Sequence, residues 1–98
     1  MPSYKFTDKA EADLEDIIDY TVEQWGSVQA IKYVDTLEEL AQTLADNPKL
    51  GRNRDIFISG LLSFNYESHV LYYVEEPHGI TVLRVLHKRM DEQKQFKV

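Results

Sequence analysis

A chain of 98 residues without cysteine has room for one domain with a modest core, and it excludes both disulfide staples and thiolate metal sites. Its net charge of −6 argues against a broad electrostatic surface for nucleic acid, because affinity for phosphate comes largely from Lys and Arg. The acidity belongs to the first half: residues 1–50 hold four cations against eleven carboxylates, and residues 51–98 seven against six. The opening MPSYKFTDK lacks the apolar core of a secretion signal, and no apolar run approaches the roughly 20 residues needed to cross a bilayer. A single soluble, cytoplasmic domain over residues 1–98 is expected.

The predicted elements begin with a short strand at Ser3 to Phe6, where Tyr4 and Phe6 alternate with Ser3 and Lys5. Asp8 followed by Glu11 resembles a capping box and opens a helix. Its apolar stripe runs Ala10, Leu14, Ile17, Ile18, Val22 and Trp25 at spacings of three and four. Asp13, Asp16 and Asp19 fall largely outside that stripe and read as a solvated face; no histidine accompanies them to support a metal or acid/base role. Gly26 ends the helix and Ser27 caps the next, which makes an antiparallel hairpin with Trp25 as a plug at its bend. The second helix carries Ile31, Val34, Leu37, Leu40, Ala41 and Leu44 on one side and stops at Asn47-Pro48, since proline disfavours helix at the residue before it.

PKLGRNR, Pro48 to Arg54, is the first loop with positive character, and its Arg52 and Arg54 are candidates for an anion or an acidic partner. Three strand signals follow. Leu62, Phe64 and Tyr66 alternate with polar residues, Glu67-Ser68 makes a hairpin turn, His69 to Val74 forms the second run, and Pro77 to Gly79 turns the chain into the third. That third strand, GITVLRVLHKRMD, is the densest apolar run in the chain and passes directly into its most concentrated positive charge. Strict alternation gives the sets Ile80, Val82, Arg84, Leu86 and Thr81, Leu83, Val85, His87, both mostly apolar, as in a strand covered on both faces. An arginine within such a strand must find a partner or reach water. The order is strand, helix, helix and three antiparallel strands, an α+β domain whose hairpin covers one sheet face and leaves the other for water or a partner.

Signatures of chemistry are scarce: there is no GxSxG, no phosphate-binding loop, no HExxH and no glycine-rich dinucleotide fingerprint. The histidines at 69, 78 and 87 lack metal-ligand spacing; His78 lies in a turn, and His69 and His87 bound strands.

Four segments taken together are distinctive. RVLHKRMD at Arg84 to Asp91, HVLYYV at His69 to Val74, NPKLGRNRD at Asn47 to Asp55 and EQWGSVQAIKY at Glu23 to Tyr33 resemble the ParE toxins of the ParE/RelE superfamily, over essentially the whole chain. The resemblance implies the small α+β fold of order β-α-α-β-β-β. It also implies the toxin of a type II toxin–antitoxin, plasmid-stabilising pair, forming a hetero-oligomer with a ParD-like antitoxin. RelE-like members cut messenger RNA on the ribosome, whereas ParE-like members poison DNA gyrase by binding it, without cofactor or metal. The acidic balance favours ParE. On that reading Arg84, His87, Lys88, Arg89 and Met90 contact the target, while Arg52, Arg54, Phe64, Tyr66 and Tyr72 serve the antitoxin. On the nuclease alternative Arg84 and His87 supply a phosphate clamp and a base, with Arg54 or Arg52 as a second cation. The tyrosine that some nuclease members carry near the C-terminus is missing, for the tail QKQFKV offers only Phe96. A non-toxic member kept for antitoxin binding is the third reading.

Overall fold

The computed structural model describes residues 1–96. Strand β1 spans Ser3–Phe6, helices α1 and α2 span Asp8–Trp25 and Ser27–Asp46, and a 3-10 turn covers Pro48–Leu50. Strands β2 (Arg52–Asn53), β3 (Leu61–Tyr66), β4 (His69–Glu76) and β5 (Gly79–His87) follow, and a short helix α3 closes the described chain at Glu92–Phe96. The sheet order is β1-β5-β4-β3-β2. The expected antiparallel meander of β3, β4 and β5 is its centre, and Tyr66 and His69 pair across the two-residue turn at Glu67-Ser68. β1 adds a parallel edge beside β5, in register Ser3 to Gly79 and Phe6 to Val82. Gly79 is required by that edge: its φ is +142°, and a Cβ there would sit 2.0 Å from the Ser3 carbonyl oxygen.

α1 and α2 cover one sheet face. Ala10 and Ile17 of α1, Leu37, Leu44 and Ala45 of α2, Leu71 and Tyr73 of β4, and Ile80, Val82 and Val85 of β5 form the main core. Tyr73 is fully buried, and its hydroxyl donates to the Pro48 carbonyl at 2.7 Å, which satisfies the one polar atom it brings inside. The cap of α1 is one residue earlier than the sequence suggests. Thr7 Oγ1 accepts from the Ala10 N–H and donates to the Leu83 carbonyl, so the cap also ties the helix start to β5. Ser27 is likewise the first helical residue of α2 rather than its cap, a place taken by Gly26 at φ +91°.

Three expectations are corrected. Trp25 is no core plug: residues 22–29 are all exposed, Trp25 to 73%, because the hairpin tip extends beyond the packed part of both helices. Val22 and Ile31 of the expected stripes are exposed with it, and Thr21 and Ala30 are the buried residues flanking the tip. The alternation of β5 is broken by a bulge. Tyr72 pairs with Arg84 but Tyr73 pairs with Val82, so Leu83 is an extra residue and every later side chain changes face. Val85 therefore joins Ile80 and Val82 in the main core while Leu86 packs on the opposite side. Finally, the second sheet face is not open. Since β4 side chains alternate, Val70 and Tyr72 face away from Leu71 and Tyr73 and build a second, smaller core with Leu61 and Leu86. Phe57, from the loop between β2 and β3, and Phe96 of α3 cover it.

Candidate functional site

Arg84, freed by the bulge from the row of core residues, reaches the edge of β5 beyond the end of β1. There Asp13 of α1 meets it in a two-pronged pair: Nε donates to Oδ2 at 2.8 Å and Nη2 to Oδ1 at 3.0 Å. The same Oδ2 accepts the Val85 backbone N–H at 2.9 Å, so one carboxylate terminates the sheet edge and holds the arginine. Both side chains are largely buried, and the bonded carboxylate raises the guanidinium above its ordinary value. Asp13 is thus no member of a solvated face. Arg84 Nη1 also lies 3.5 Å from Gln95 Oε1, joining α1 to α3 through the arginine.

Arg54 is engaged at the second core, beside α3. Its guanidinium pairs with Glu92 of α3 and stacks over the Phe57 ring with 5.0 Å to the centroid. The Tyr72 hydroxyl donates to the second oxygen of Glu92, and Phe96 lies edge-on to Tyr72 at 4.8 Å. Burial and the Glu92 carboxylate both push the Tyr72 phenol up, so it stays neutral and acts as a donor. Tyr72, expected at a partner surface, is 2% exposed beneath α3. Phe64 and Tyr66 are half-buried against the main core on the hairpin side, and Arg52 is exposed on the edge strand β2.

His87 takes no part in either arginine pair. After the bulge it points to the hairpin side, where it stands opposite His69 in register with the rings 5.4 Å apart and edge-on. Its Nδ1 accepts the Arg89 backbone N–H at 3.1 Å, leaving Nε2 as the protonated ring nitrogen. His69 Nδ1 lies 2.7 Å from the Tyr33 hydroxyl. Burial, with a smaller contribution from His87, pulls His69 below its ordinary value; burial pushes Tyr33 up to about 12, partly offset by the Ser68 backbone. His78, in the turn before β5, is half-buried with Nε2 2.9 Å from the Ile80 carbonyl.

His69 and His87 floor a groove of about 850 Å³ between the hairpin and the ends of β4 and β5. Tyr20 and Trp25 of α1 and Tyr33 of α2 form its walls, Asp13 and Asp16 line its α1 side, and Met90 closes its rim. Lys88, Arg89 and Met90 are exposed in the turn that follows β5. Among the described residues no group of three or more His, Cys, Asp or Glu is placed to hold a metal ion. Hydrogen-bonding rings beside apolar walls suit the binding of a polypeptide segment.

Sequence reasoning missed the groove. Tyr20, Tyr33 and Asp16 were not singled out for it, and Trp25 was assigned to the core. The signal available was the concentration of aromatics at a hairpin tip bounded by Gly26, where a second packed layer is hard to supply.

The family model for the ParE toxin of type II toxin–antitoxin systems, parDE, matches residues 4–92. Toxin ParE1 of Mycobacterium tuberculosis (strain H37Rv) is 39% identical over 89 residues, covering 90% of this chain and 91% of that protein. Toxin ParE1 of Caulobacter vibrioides is 31% identical over 91 residues, covering 93% and 94%. A solved structure of the chromosomal ParDE toxin–antitoxin system from P. aeruginosa superposes with a TM-score of 0.74 at 28% identity, over 89% of this chain and 96% of that one.

Proposed function

Since this chain belongs to the ParE toxin family of type II toxin–antitoxin systems, we propose that it arrests cells by binding DNA gyrase, performs no chemistry itself, and is held silent by a ParD-like antitoxin encoded beside it. The observation that carries this reading is the engagement of the cations a nuclease would need. Arg84 is neutralised by Asp13 and Arg54 by Glu92, and His87 lies in the groove that Asp13 also lines. A phosphate clamp needs cations converging on one point and free to meet charge as it develops. Here two of the three groups already hold carboxylates.

The target contact is then assigned to the turn after β5. Lys88, Arg89 and Met90 are displayed to solvent, whereas Arg84 stands behind them as a positioning residue that fixes the end of β5 through Asp13. His87 links the two: its ring accepts from the Arg89 backbone and sets the path of the turn. Gyrase and antitoxin are both met in the cytoplasm, and such a pair serves to retain the replicon that encodes it.

Controlled expression in the absence of antitoxin tests the reading. Growth arrest with induction of the DNA-damage response supports gyrase as the target. Immediate translational arrest without that response supports the RelE-type alternative, and unimpaired growth the non-toxic one.

A further inference from the structure

We propose that Arg54 and Tyr72 form an anion seat which α3 keeps filled from within the chain, and that a longer acidic helix of a partner protein displaces α3 and takes the seat. The present occupant shows the chemistry. Glu92 meets the Arg54 guanidinium with one carboxylate oxygen and the Tyr72 hydroxyl with the other. One helical turn later Phe96 packs on Tyr72 and Phe57. A carboxylate followed four residues on by an aromatic ring is therefore the pattern this face accepts.

α3 fills the seat incompletely in two respects. Arg54 Nε is buried and has no hydrogen-bond partner among the described residues, because Glu92 is shared with Tyr72 and reaches the guanidinium through Nη2. A guanidinium offers Nε and Nη2 side by side to a carboxylate, and a buried donor left bare costs stability. Arg84 shows the completed form, since Asp13 takes its Nε and Nη2 together. The second shortfall is apolar. Beside α3 runs an open cleft of about 440 Å³ lined by Lys9, Ile58, Leu83 and Phe96, with Ile58 still 38% exposed. A five-residue helix does not hold itself together in water, so α3 stays docked through a few side chains and opens at low cost. A longer helix that repeats the pattern, completes the Arg54 fork and lays one more apolar side chain in the cleft gains contacts that α3 does not make.

Charge selects an acidic partner. Arg52 stands in register with Ser63, and Ser63 with Tyr72, so a second arginine lies along the same row of the sheet. It is exposed and has no ion pair among the described residues. Arg54 passes from one carboxylate to another in the exchange, and Arg54, Tyr72, Glu92 and Phe96 are all absent from the lining of the groove of His69 and His87.

Fluorescence anisotropy with the full chain and a labelled, stapled helical peptide tests the proposal; the peptide carries the sequence of residues 91–96 extended by one leucine-bearing turn. Phe96→Ala loosens α3 and leaves Arg54 and Tyr72 in place, so at least fivefold tighter binding than to the parent is expected. Adding Arg54→Met to Phe96→Ala should weaken binding at least tenfold. Val28→Ala, at an exposed position on α2, should match the parent within twofold. A peptide whose glutamate is exchanged for glutamine reads the same contact from the other side, with a tenfold loss on Phe96→Ala expected, and it decides the matter where the Arg54→Met variant fails to fold. No binding to Phe96→Ala, or binding that neither the glutamine peptide nor Arg54→Met weakens, overturns the proposal. Preference of Phe96→Ala for a single-stranded oligonucleotide over the acidic peptide overturns the choice of occupant.

Discussion

Asp13→Ala removes the partner of Arg84 and the acceptor of the Val85 N–H in one step. The two side chains are 21% and 13% exposed, so the pair is shielded from water without being sealed from it. Breaking a buried ion pair from one side costs about 3–5 kcal/mol, because the surviving charge is left unpaired; discounted for this residual exposure, the expected cost is about 2–4 kcal/mol. For a domain of this size that is roughly 8–30 °C in melting temperature, at about 4–8 °C per kcal/mol. Urea and thermal unfolding followed by circular dichroism measure it. Arg84→Met combined with Asp13→Leu should recover part of the loss, since replacing both charges by apolar groups of similar volume leaves no orphan. Toxicity lost in Arg84→Ala should then follow the loss of folded protein. A cost for Asp13→Ala below about 0.5 kcal/mol, the range of an ordinary surface substitution, would refute the positioning role and return Arg84 to the target surface.

Gly79→Ala should destabilise by about 2 kcal/mol or more in the same unfolding assays, because the left-handed φ is strained for alanine and the added Cβ meets the Ser3 carbonyl. Phe96→Ala, which removes the ring packed on Tyr72 and Phe57, should cost about 1–2 kcal/mol, with faster hydrogen exchange in β4 as a local readout. His69 is depressed in the folded protein relative to its ordinary value of 6.5, so the unfolded chain takes up a proton first as pH falls. The stability due to neutral His69 is fully present above 6.5 and is lost as pH drops through the folded value. Midpoints of urea unfolding measured from pH 7.5 downward should fall in that window, and His69→Gln should flatten the slope.

Periodicity carried much of the fold. α1 and α2 showed one apolar stripe each, and Glu67-Ser68 was the right length for the hairpin between β3 and β4. What escaped the sequence was tertiary. Both alternating sets of β5 are apolar, so nothing in the residues marks Leu83 as the extra one, yet that bulge decides the faces of Arg84, Val85 and His87. Asp13 and Arg84 are 71 residues apart, and no local pattern pairs them. Trp25 fits the helical spacing of its stripe, but spacing gives direction and not whether anything lies there to be packed against. α3, EQKQF, is too short to show a stripe; it forms because Glu92 and Phe96 find Arg54, Tyr72 and Phe57 across the sheet. Its presence explains why Tyr72, an apparent surface tyrosine by alternation, is buried.

The most direct test of the central claim sets the purified protein against gyrase-catalysed supercoiling and, in parallel, against ribosomes programmed with messenger RNA. Parent, His87→Ala and the combined Lys88→Ala, Arg89→Ala variant are assayed together. Inhibition of supercoiling by the parent, reduced in the turn variant, with messenger RNA intact in every reaction, is the expected result. Ribosome-dependent cleavage by the parent that His87→Ala abolishes would contradict it.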